Sequence, residues 1–166
     1  MFKKMFGKGN QPDKNLEITA PIAGSYVAIE DIPDPVFAQK MMGEGFGIRP
    51  SNGLVVAPVD GEIVNVFPTK HAIGIKSNNG VELLIHVGLE TVTMKGEGFN
   101  ALVAQGDQVS KGDALLEFDI KKIEEQASSI ISPVIITNSD TLKSITIDAP
   151  EMLIQGETVI ISVETN

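Results

Sequence analysis

Histidine is the scarcest side chain in this sequence that could act as a catalyst near neutral pH. The 166 residues include two histidines, His71 and His86, and no cysteine. The lack of cysteine excludes disulfides, cysteine nucleophiles and cysteine-ligated zinc, and two histidines are too few for a mechanism that needs three or four histidine ligands. The two imidazoles, which titrate near neutral pH, are therefore the first candidates for chemistry.

The two histidines flank a predicted β-hairpin. Residues 77–80, Ser-Asn-Asn-Gly, form a turn signal between two strand-like stretches. If the two asparagines form the loop, His71 and His86 lie directly opposite each other. If the second asparagine and the glycine form it, they are diagonal neighbours on one face. A three-residue loop would place them on opposite faces, and a two-residue loop is favoured because Asn and Gly tolerate positive φ.

Two imidazoles on one sheet face permit three interpretations. They could be a structural pair, or they could hold a metal with an aspartate, although no zinc-protease spacing is present. They could also transfer a phosphoryl group, one neutral imidazole attacking phosphorus while the other donates a hydrogen bond to the transferred group. The residues predicted to share the histidine face are mostly apolar, with Glu82 as the exception: Ile73, Ile75, Leu84 and Gly88. Such a surface suits docking by another protein.

The elements that would position these side chains are mostly predicted strands. Short apolar runs recur between Gly, Pro, Asn and Asp, a pattern typical of a β-sandwich or barrel. The predicted strands are residues 25–29, 53–56, 63–67, 72–76, 81–87, 115–118, 130–137, 144–148 and 158–163. Two phrases occur twice: Ala-Pro-x-x-Gly-x-x-Val begins at Ala20 and Ala57, and Gln-Gly-acidic-x-Val begins at Gln105 and Gln155. These repeats favour a duplicated β motif.

Two short helices are also predicted. Residues 34–41 begin with Asp34 as N-cap and a proline at the first helical position. Residues 119–127 again begin with an aspartate and carry apolar residues on one helical face. If the first helix packs near the histidines, its apolar side chains could extend the apolar patch: Val36, Phe37, Met41 and Met42.

The composition indicates one folded domain. Apolar residues make up 42% and charged residues 21%, which allows a core and argues against disorder. Thirteen basic and twenty-two acidic residues give a net charge of −9, and this argues against nucleic-acid binding because phosphate backbones require clustered positive charge. No apolar run approaches the roughly 20 residues that span a bilayer, and no secretory signal is evident, so a cytoplasmic location is expected.

Residues 1–15 are predicted to form a flexible N-terminal tail, and residues 16–166 a single β domain. The first six residues mix bulky apolar side chains with lysine, and the following glycines and proline break regular structure. Such a segment is either a frayed terminus or a short cationic amphipathic element with weak affinity for an anionic membrane.

Five segments occur together in a specific order: DIPDPVFA at 31–38, VAPVDG at 56–61, TKHA at 69–72, LLIHVGL at 83–89 and KGEGF at 95–99. In order and spacing they resemble the glucose-type enzyme IIA (EIIA) of the bacterial phosphoenolpyruvate-dependent sugar phosphotransferase system. The resemblance implies an all-β fold, an antiparallel sandwich or flattened barrel with one or two short helices, and no cofactor. It also implies an activity. A phosphoryl group passes from the phosphocarrier HPr to a histidine, and then to a cysteine of a IIB domain, for uptake of glucose-type sugars.

The resemblance implies a role for each matching position. His86 resembles the phosphorylated nucleophile, attacking through Nε2 while its other ring nitrogen donates to a backbone carbonyl, expected at Gly88. His71 would hold the phosphoryl oxygens, and the Thr69 hydroxyl would orient His71. The two histidines could also be ligands of an adventitious or interfacial zinc ion, although the relay itself requires no metal.

The resemblance further implies a docking surface for HPr and for the IIB domain of a sugar permease. Regulatory targets that bind according to phosphorylation state would use the same surface. Glu90 departs from the family pattern, which commonly has aspartate, so the charge is retained and its reach differs. The expected docking residues are Asp34, Val36, Phe37, Met42, Phe67, Leu84 and Glu90.

Two other functions fit parts of the sequence. A biotinyl or lipoyl carrier domain would share the Ala-Pro-x-x-Gly phrase and would need a modified lysine, for which Lys95 is the nearest candidate. A non-catalytic regulatory module would use the surface around His86 for binding alone. Loss of function on changing His86 would favour the relay, whereas dependence on Lys95 would favour the carrier domain.

Overall fold

The computed structural model describes residues 14–166, and in this part of the chain short apolar runs between turn residues form β-strands. The strands are β1 (Asn15–Thr19), β2 (Gly24–Ala28), β3 (Glu44–Pro50), β4 (Leu54–Val56), β5 (Gly61–Val66), β6 (Ala72–Ser77), β7 (Glu82–His86), β8 (Phe99–Ala101), β9 (Gln108–Val109), β10 (Ala114–Phe118), β11 (Ser132–Ile136), β12 (Ser144–Ile147), β13 (Met152–Leu153) and β14 (Val159–Glu164). The α-helices are α1 (Pro35–Ala38) and α2 (Ile120–Gln126). Among these residues no helix is long and apolar enough to cross a membrane.

The strands pair antiparallel in three sheets. The largest has the order β13-β2-β3-β11-β7-β6-β5-β9, and the two smaller sheets have the orders β1-β14-β12 and β4-β10-β8. The predicted antiparallel β-sandwich with few helices is confirmed, and the described sheets do not close into a barrel. Both predicted helices are present, and each begins after the predicted aspartate, whose side chain accepts a hydrogen bond from a backbone amide two or three residues later.

Strand alternation divides the apolar residues between two clusters. On β7, Leu83 and Ile85 face the main core, whereas Leu84 belongs to a second, smaller cluster on the opposite face. We call the smaller one the site cluster, because His86 follows Leu84 on the same face. Its buried members are Ile29, Ile32, Phe37, Ala72, Leu84, Leu89, Ile131 and Ile135, and Val27 and Phe67 pack against it.

The repeated Ala-Pro phrases occupy equivalent places in the fold. The amide of Val56 donates to the carbonyl of Pro21 at 2.8 Å, and the amide of Thr19 donates to the carbonyl of Pro58 at 3.1 Å. In each copy the alanine before the proline is fully buried, and its carbonyl accepts from a glycine amide, at 2.9 and 2.8 Å. The two copies are thus hydrogen-bonded to each other in the middle of the sandwich, as expected of a duplicated motif.

Sequence reasoning did not predict five strands, of which β3 is the longest; the others are β1, β8, β9 and β13. The glycines of β3 weaken the strand signal. The structure gives a reason for Gly45: a Cβ atom built there would lie 2.0 Å from the carbonyl oxygen of Val134 on β11. The close approach of two backbones therefore requires glycine within this central strand.

Residues 1–13 of the predicted N-terminal tail lie outside the part of the chain that the structure describes. Asn15, which the prediction assigned to this tail, is the first residue of β1, where it pairs with Glu164 of β14. The proposed membrane contact of this tail concerns residues 1–13 and is likewise outside the described part of the chain.

Candidate active site

His86 is the last residue of β7, and its ring lies half-buried on the face of the site cluster. Its Nδ1 is 2.7 Å from the carbonyl oxygen of Gly88. A carbonyl oxygen only accepts hydrogen bonds, so Nδ1 carries the proton of the neutral ring. The lone pair is consequently on Nε2, which is the nitrogen predicted to act as nucleophile.

The conformation of Gly88 brings its carbonyl to this position. Its φ is +70°, in the left-handed region. A Cβ atom there would lie 2.7 Å from Cγ2 of Thr91 and 3.0 Å from the carbonyl oxygen of Ser129. Both the backbone conformation and the lack of space therefore require glycine two residues after the histidine.

His71 precedes β6 and lies outside it, at the end of a tight turn. The amide of Lys70 donates to the carbonyl of Phe67 at 2.7 Å, and Lys70 has a φ of +60°. The carbonyl of His71 accepts from the amide of Val87 at 2.8 Å, which ties the backbones next to the two histidines together. The side chain of His71 is 6% exposed, and its Nδ1 lies 2.5 Å from Oγ1 of Thr69.

The predicted two-residue loop of the hairpin is wrong. Ala72 pairs with His86 and Lys76 with Glu82, so three residues, 78–80, connect the ladder that ends at Ser77. This register puts Ala72 on the face of His86. Ile73 and Ile75, which were expected beside the histidines, lie on the other face in the main core.

The histidines nevertheless meet, with ring centroids 5.0 Å apart and ring planes at 77°. A three-residue loop would separate them if His71 continued the alternation of β6. His71, however, lies in the turn before β6, which begins at Ala72, so its ring does not follow the alternation of that strand. The prediction that the two imidazoles are neighbours is confirmed, although the geometry that brings them together differs from the predicted one.

Burial keeps both imidazoles neutral near physiological pH. Desolvation, and to a lesser extent the adjacent His86, lowers the pKa of His71 from 6.5 to about 4. Desolvation also lowers the pKa of His86, while the hydrogen bond to Gly88 and the charge of Asp34 oppose this effect. When His71 is neutral, the Thr69 hydroxyl can donate to its Nδ1, which leaves the ring proton on Nε2. One ring then offers a lone pair and the other a donor.

Aromatic rings pack edge-on against both histidines. The ring centroid of Phe37 lies 5.3 Å from that of His86, and the centroid of Phe67 lies 5.5 Å from that of His71. Phe37 and Leu84 are 5% and 8% exposed. These two predicted docking residues therefore form the floor of the apolar surface, and Phe67 is half-buried beside them.

The exposed part of the predicted docking surface comes from α1 and the residues that follow it. Val36 is 41% exposed and Met42 is 37% exposed. Asp34 is the N-cap of α1, where Oδ1 accepts from the amide of Val36 at 2.9 Å. Glu90 is exposed, has a φ of +60°, and its carboxylate accepts a hydrogen bond from the hydroxyl of Ser128. Aspartate and asparagine adopt this left-handed conformation more readily than glutamate.

Sequence reasoning missed two hydroxyls that hold the backbone next to His86. The Ser132 hydroxyl accepts from the amide of Gly88 at 3.0 Å, and the Thr91 hydroxyl donates to the carbonyl of Val87 at 2.6 Å. Both side chains are fully buried. Ser132 lies 44 residues from Gly88 in sequence, and no local pattern marks it as a partner.

The two imidazoles could contribute two ligands to a metal ion. Within residues 14–166, however, no group of three or more His, Cys, Asp or Glu side chains could hold one. A zinc ion here would therefore need ligands from another molecule or from water.

Known proteins are similar to this chain in both sequence and fold. The family model described as phosphoenolpyruvate-dependent sugar phosphotransferase system, EIIA 1, matches residues 16–142. The glucose-specific EIIA component of Staphylococcus epidermidis is 58% identical over 163 residues, covering 98% of both chains, and that of Staphylococcus aureus strain MRSA252 is 58% identical over 166 residues, covering all of both. Glucose permease IIA from Mycoplasma capricolum is 38% identical and superposes with a TM-score of 0.83, covering 90% of this chain and 96% of the other.

The sandwich and its paired neutral imidazoles, together with these relatives, define the class: an all-β phosphotransferase component of a sugar-transport system. Within that class, the chain belongs to the EIIA 1 family of the phosphoenolpyruvate-dependent sugar phosphotransferase system. The resemblance found in the sequence is therefore confirmed.

Proposed function

We propose that this chain is a phosphoryl relay that accepts a phosphoryl group from phospho-HPr on His86 and passes it to a cysteine of a IIB domain. The observation that carries the proposal is the hydrogen bond between Nδ1 of His86 and the carbonyl of Gly88. Because this bond places the ring proton on Nδ1, Nε2 has a free lone pair at neutral pH.

In the accepting step, Nε2 of His86 attacks the phosphorus of the phosphohistidine on HPr. The new N–P bond forms as the old one breaks, and the donor nitrogen keeps the electron pair. Positive charge develops on the ring of His86, and the carbonyl of Gly88 stabilises it through the proton on Nδ1. In the second step a cysteine thiolate attacks the same phosphorus, and His86 leaves with its electron pair.

His71 is proposed to hold the phosphoryl oxygens during both steps. Its ring lies beside that of His86, with centroids 5.0 Å apart. With Thr69 donating to Nδ1, the proton on Nε2 of His71 is available to an oxygen of the group on His86. Since the ring is buried and neutral, it donates a hydrogen bond without holding the phosphoryl group as tightly as a cation would, and this suits a group that must leave again.

The apolar residues around the histidines are proposed to form the docking surface for both partners. Phe37 and Leu84 provide its floor, Phe67 its side, and Val36 and Met42 its exposed part. HPr and IIB must use this surface in turn, so each contact should be modest in area and short-lived. Asp34 and Glu90 carry negative charge next to it, and regulatory targets that distinguish the phosphorylated form would meet the same residues.

One EIIA-type domain is proposed to extend over residues 16–166. This is supported by the pairing of β1, the first strand, with β14, the last strand. The relay works in the cytoplasm, where its sugar permease presents IIB, and it requires neither cofactor nor nucleic acid.

The experiment that tests the relay is intact mass spectrometry after incubation with phosphoenolpyruvate, enzyme I and HPr. The wild type should gain one acid-labile phosphoryl group, and His86→Gln should gain none while keeping its folded circular dichroism spectrum. His71→Gln should still accept the group but transfer it slowly to IIB. Labelling of His86→Gln at the wild-type level would show that His86 is not the nucleophile. Failure of the wild type to be labelled, with HPr phosphorylated in the same tube, would reject the relay.

A further inference from the structure

We infer that Ser132 is a positioning residue for the phosphoryl-accepting histidine, because it holds the Gly88 backbone in the conformation that fixes the tautomer of His86. The inference deepens the proposed relay and rests on His86 being its nucleophile. Ser132 touches neither imidazole in the hydrogen-bond network; it acts through Gly88.

Two hydrogen bonds in series connect Ser132 to the reactive ring, and a third orients its hydroxyl. The Ser132 hydroxyl donates to the carbonyl of Ile130 at 2.9 Å, so its lone pairs face the amide of Gly88, from which it accepts at 3.0 Å. The carbonyl of Gly88 in turn accepts from Nδ1 of His86 at 2.7 Å. Ser132 has no exposed surface, so water cannot readily replace its hydroxyl if it is removed.

Glycine at position 88 makes such support necessary. Gly88 has the left-handed conformation that brings its carbonyl to Nδ1, but glycine has no intrinsic preference for that region over others. The peptide before Gly88 is held by Ser132, and the peptide after it is held by the amide of Leu89, which donates to the carbonyl of Ser129 at 2.9 Å. Both anchors lie at the start of β11 or just before it, so this segment fixes Gly88 on both sides.

The consequence for chemistry concerns the ring proton of His86. If the Gly88 carbonyl turns away, Nδ1 loses its acceptor, and the tautomer with the proton on Nε2 becomes populated. In that tautomer Nε2 has no lone pair and cannot attack phosphorus. Removal of the Ser132 hydroxyl should therefore reduce the reactive fraction of His86 without touching the ring.

The test compares Ser132→Ala with a matched control, Ser77→Ala. Ser77 is also buried, and its hydroxyl also accepts from a backbone amide, that of Val81 at 2.9 Å, but it lies at the other end of the histidine hairpin. The first readout is the ¹⁵N NMR spectrum of the His86 ring, which distinguishes protonated from unprotonated nitrogens without any phosphoryl transfer. The second is the rate of phosphoryl acceptance from phospho-HPr.

We expect the wild type and Ser77→Ala to show His86 protonated on Nδ1 alone. Ser132→Ala should show a mixture of tautomers and an acceptance rate about tenfold lower, and Ser132→Thr, which keeps the hydroxyl, should recover both. If Ser132→Ala does not fold, Ser132→Cys supplies a weaker acceptor of similar size for the same comparison. An unchanged His86 spectrum in the variant without the hydroxyl, or an equal change in Ser77→Ala, would overturn the inference. A wild type with the predicted tautomer but no phosphoryl acceptance would instead reject the relay alone.

Discussion

Replacement of Gly88 by alanine should separate the support of the nucleophile from the nucleophile itself. Gly88 has a φ of +70°, and a Cβ atom there would lie 2.7 Å from Cγ2 of Thr91 and 3.2 Å from Cγ2 of Ile123. The side chains of Thr91 and Ile123 are fully buried. The added methyl group can be accommodated only if these side chains or the backbone of Gly88 move, and because both side chains are fully packed we expect the backbone to move and to displace the carbonyl that holds Nδ1 of His86.

The loss of stability follows from two contributions. An L-residue in the left-handed region costs about 1–2 kcal/mol relative to glycine. Forcing an extra methyl group into a packed site costs about 1–3 kcal/mol. Gly88→Ala should therefore lower the free energy of unfolding by about 2–5 kcal/mol. Gly106→Ala is the matched control, because Gly106 has a φ of +96° and nothing lies within 4 Å of its added Cβ, so only the first contribution applies.

Urea unfolding with linear extrapolation measures both losses, and intact mass after incubation with phospho-HPr measures phosphoryl acceptance. Gly88→Ala should be less stable than Gly106→Ala by about 1–3 kcal/mol. At a temperature where both variants are folded, Gly88→Ala should accept the phosphoryl group about tenfold more slowly than the wild type, whereas Gly106→Ala should not be slowed. A factor of this size corresponds to the loss of roughly one hydrogen bond in the transition state. Equal stability of the two variants would refute the crowding at Gly88, and wild-type acceptance by Gly88→Ala would refute the role of its carbonyl.

Two further predictions concern the charges at the site. The folded pKa of His71, about 4, is below its ordinary 6.5, so between these values the unfolded chain binds more protons and the free energy of unfolding decreases as pH falls. In His71→Gln, urea unfolding should show a smaller decrease from pH 7 to 4. The same decrease of the unfolding free energy in both proteins would show that burial of His71 does not contribute. Asp34→Asn keeps an N-cap side chain but removes the charge that raises the pKa of His86, so an NMR titration should show a lower pKa for His86 while stability changes by less than about 0.5 kcal/mol. Asp34→Ala, which also removes the cap, should lose about 1 kcal/mol more, and an unchanged His86 titration in both variants would exclude Asp34 from the electrostatics of the site.

Much of the site could be predicted from the sequence because its signals are local. Asp34 and the following proline mark the start of α1, and the structure places an N-cap and helix there. The positions of His86 and Gly88, two residues apart at the end of an apolar strand, are sufficient for the predicted hydrogen bond. The pairing of Thr69 with His71 is equally local. Each of these contacts joins residues so close in sequence that short-range backbone geometry largely determines whether they can meet.

In the hairpin, the contact between the two histidines was predicted correctly but the length of the loop was not. Asn and Gly at 77–80 are compatible with several loop lengths, and a change of one residue moves every side chain of a strand to the other face. The structure has the three-residue loop, and the histidines meet because His71 lies in the turn before β6 and not in the strand itself. That turn includes Lys70 in the left-handed conformation, for which lysine has no particular preference, so nothing in its identity indicated the turn.

The sequence by itself determined the all-β class, the two caps, the duplicated Ala-Pro motif and the identity of the two histidines as the only imidazoles of the chain. Only the tertiary structure decided which side chains surround and support them. The hydrogen bond between Gly88 and Ser132 spans 44 residues, and the glycine of β3 is explained by the backbone of β11, 89 positions later at Val134. Such contacts depend on how the sheets stack and on the order of the strands within them. Both are set by the burial of the whole core and not by any neighbouring residue.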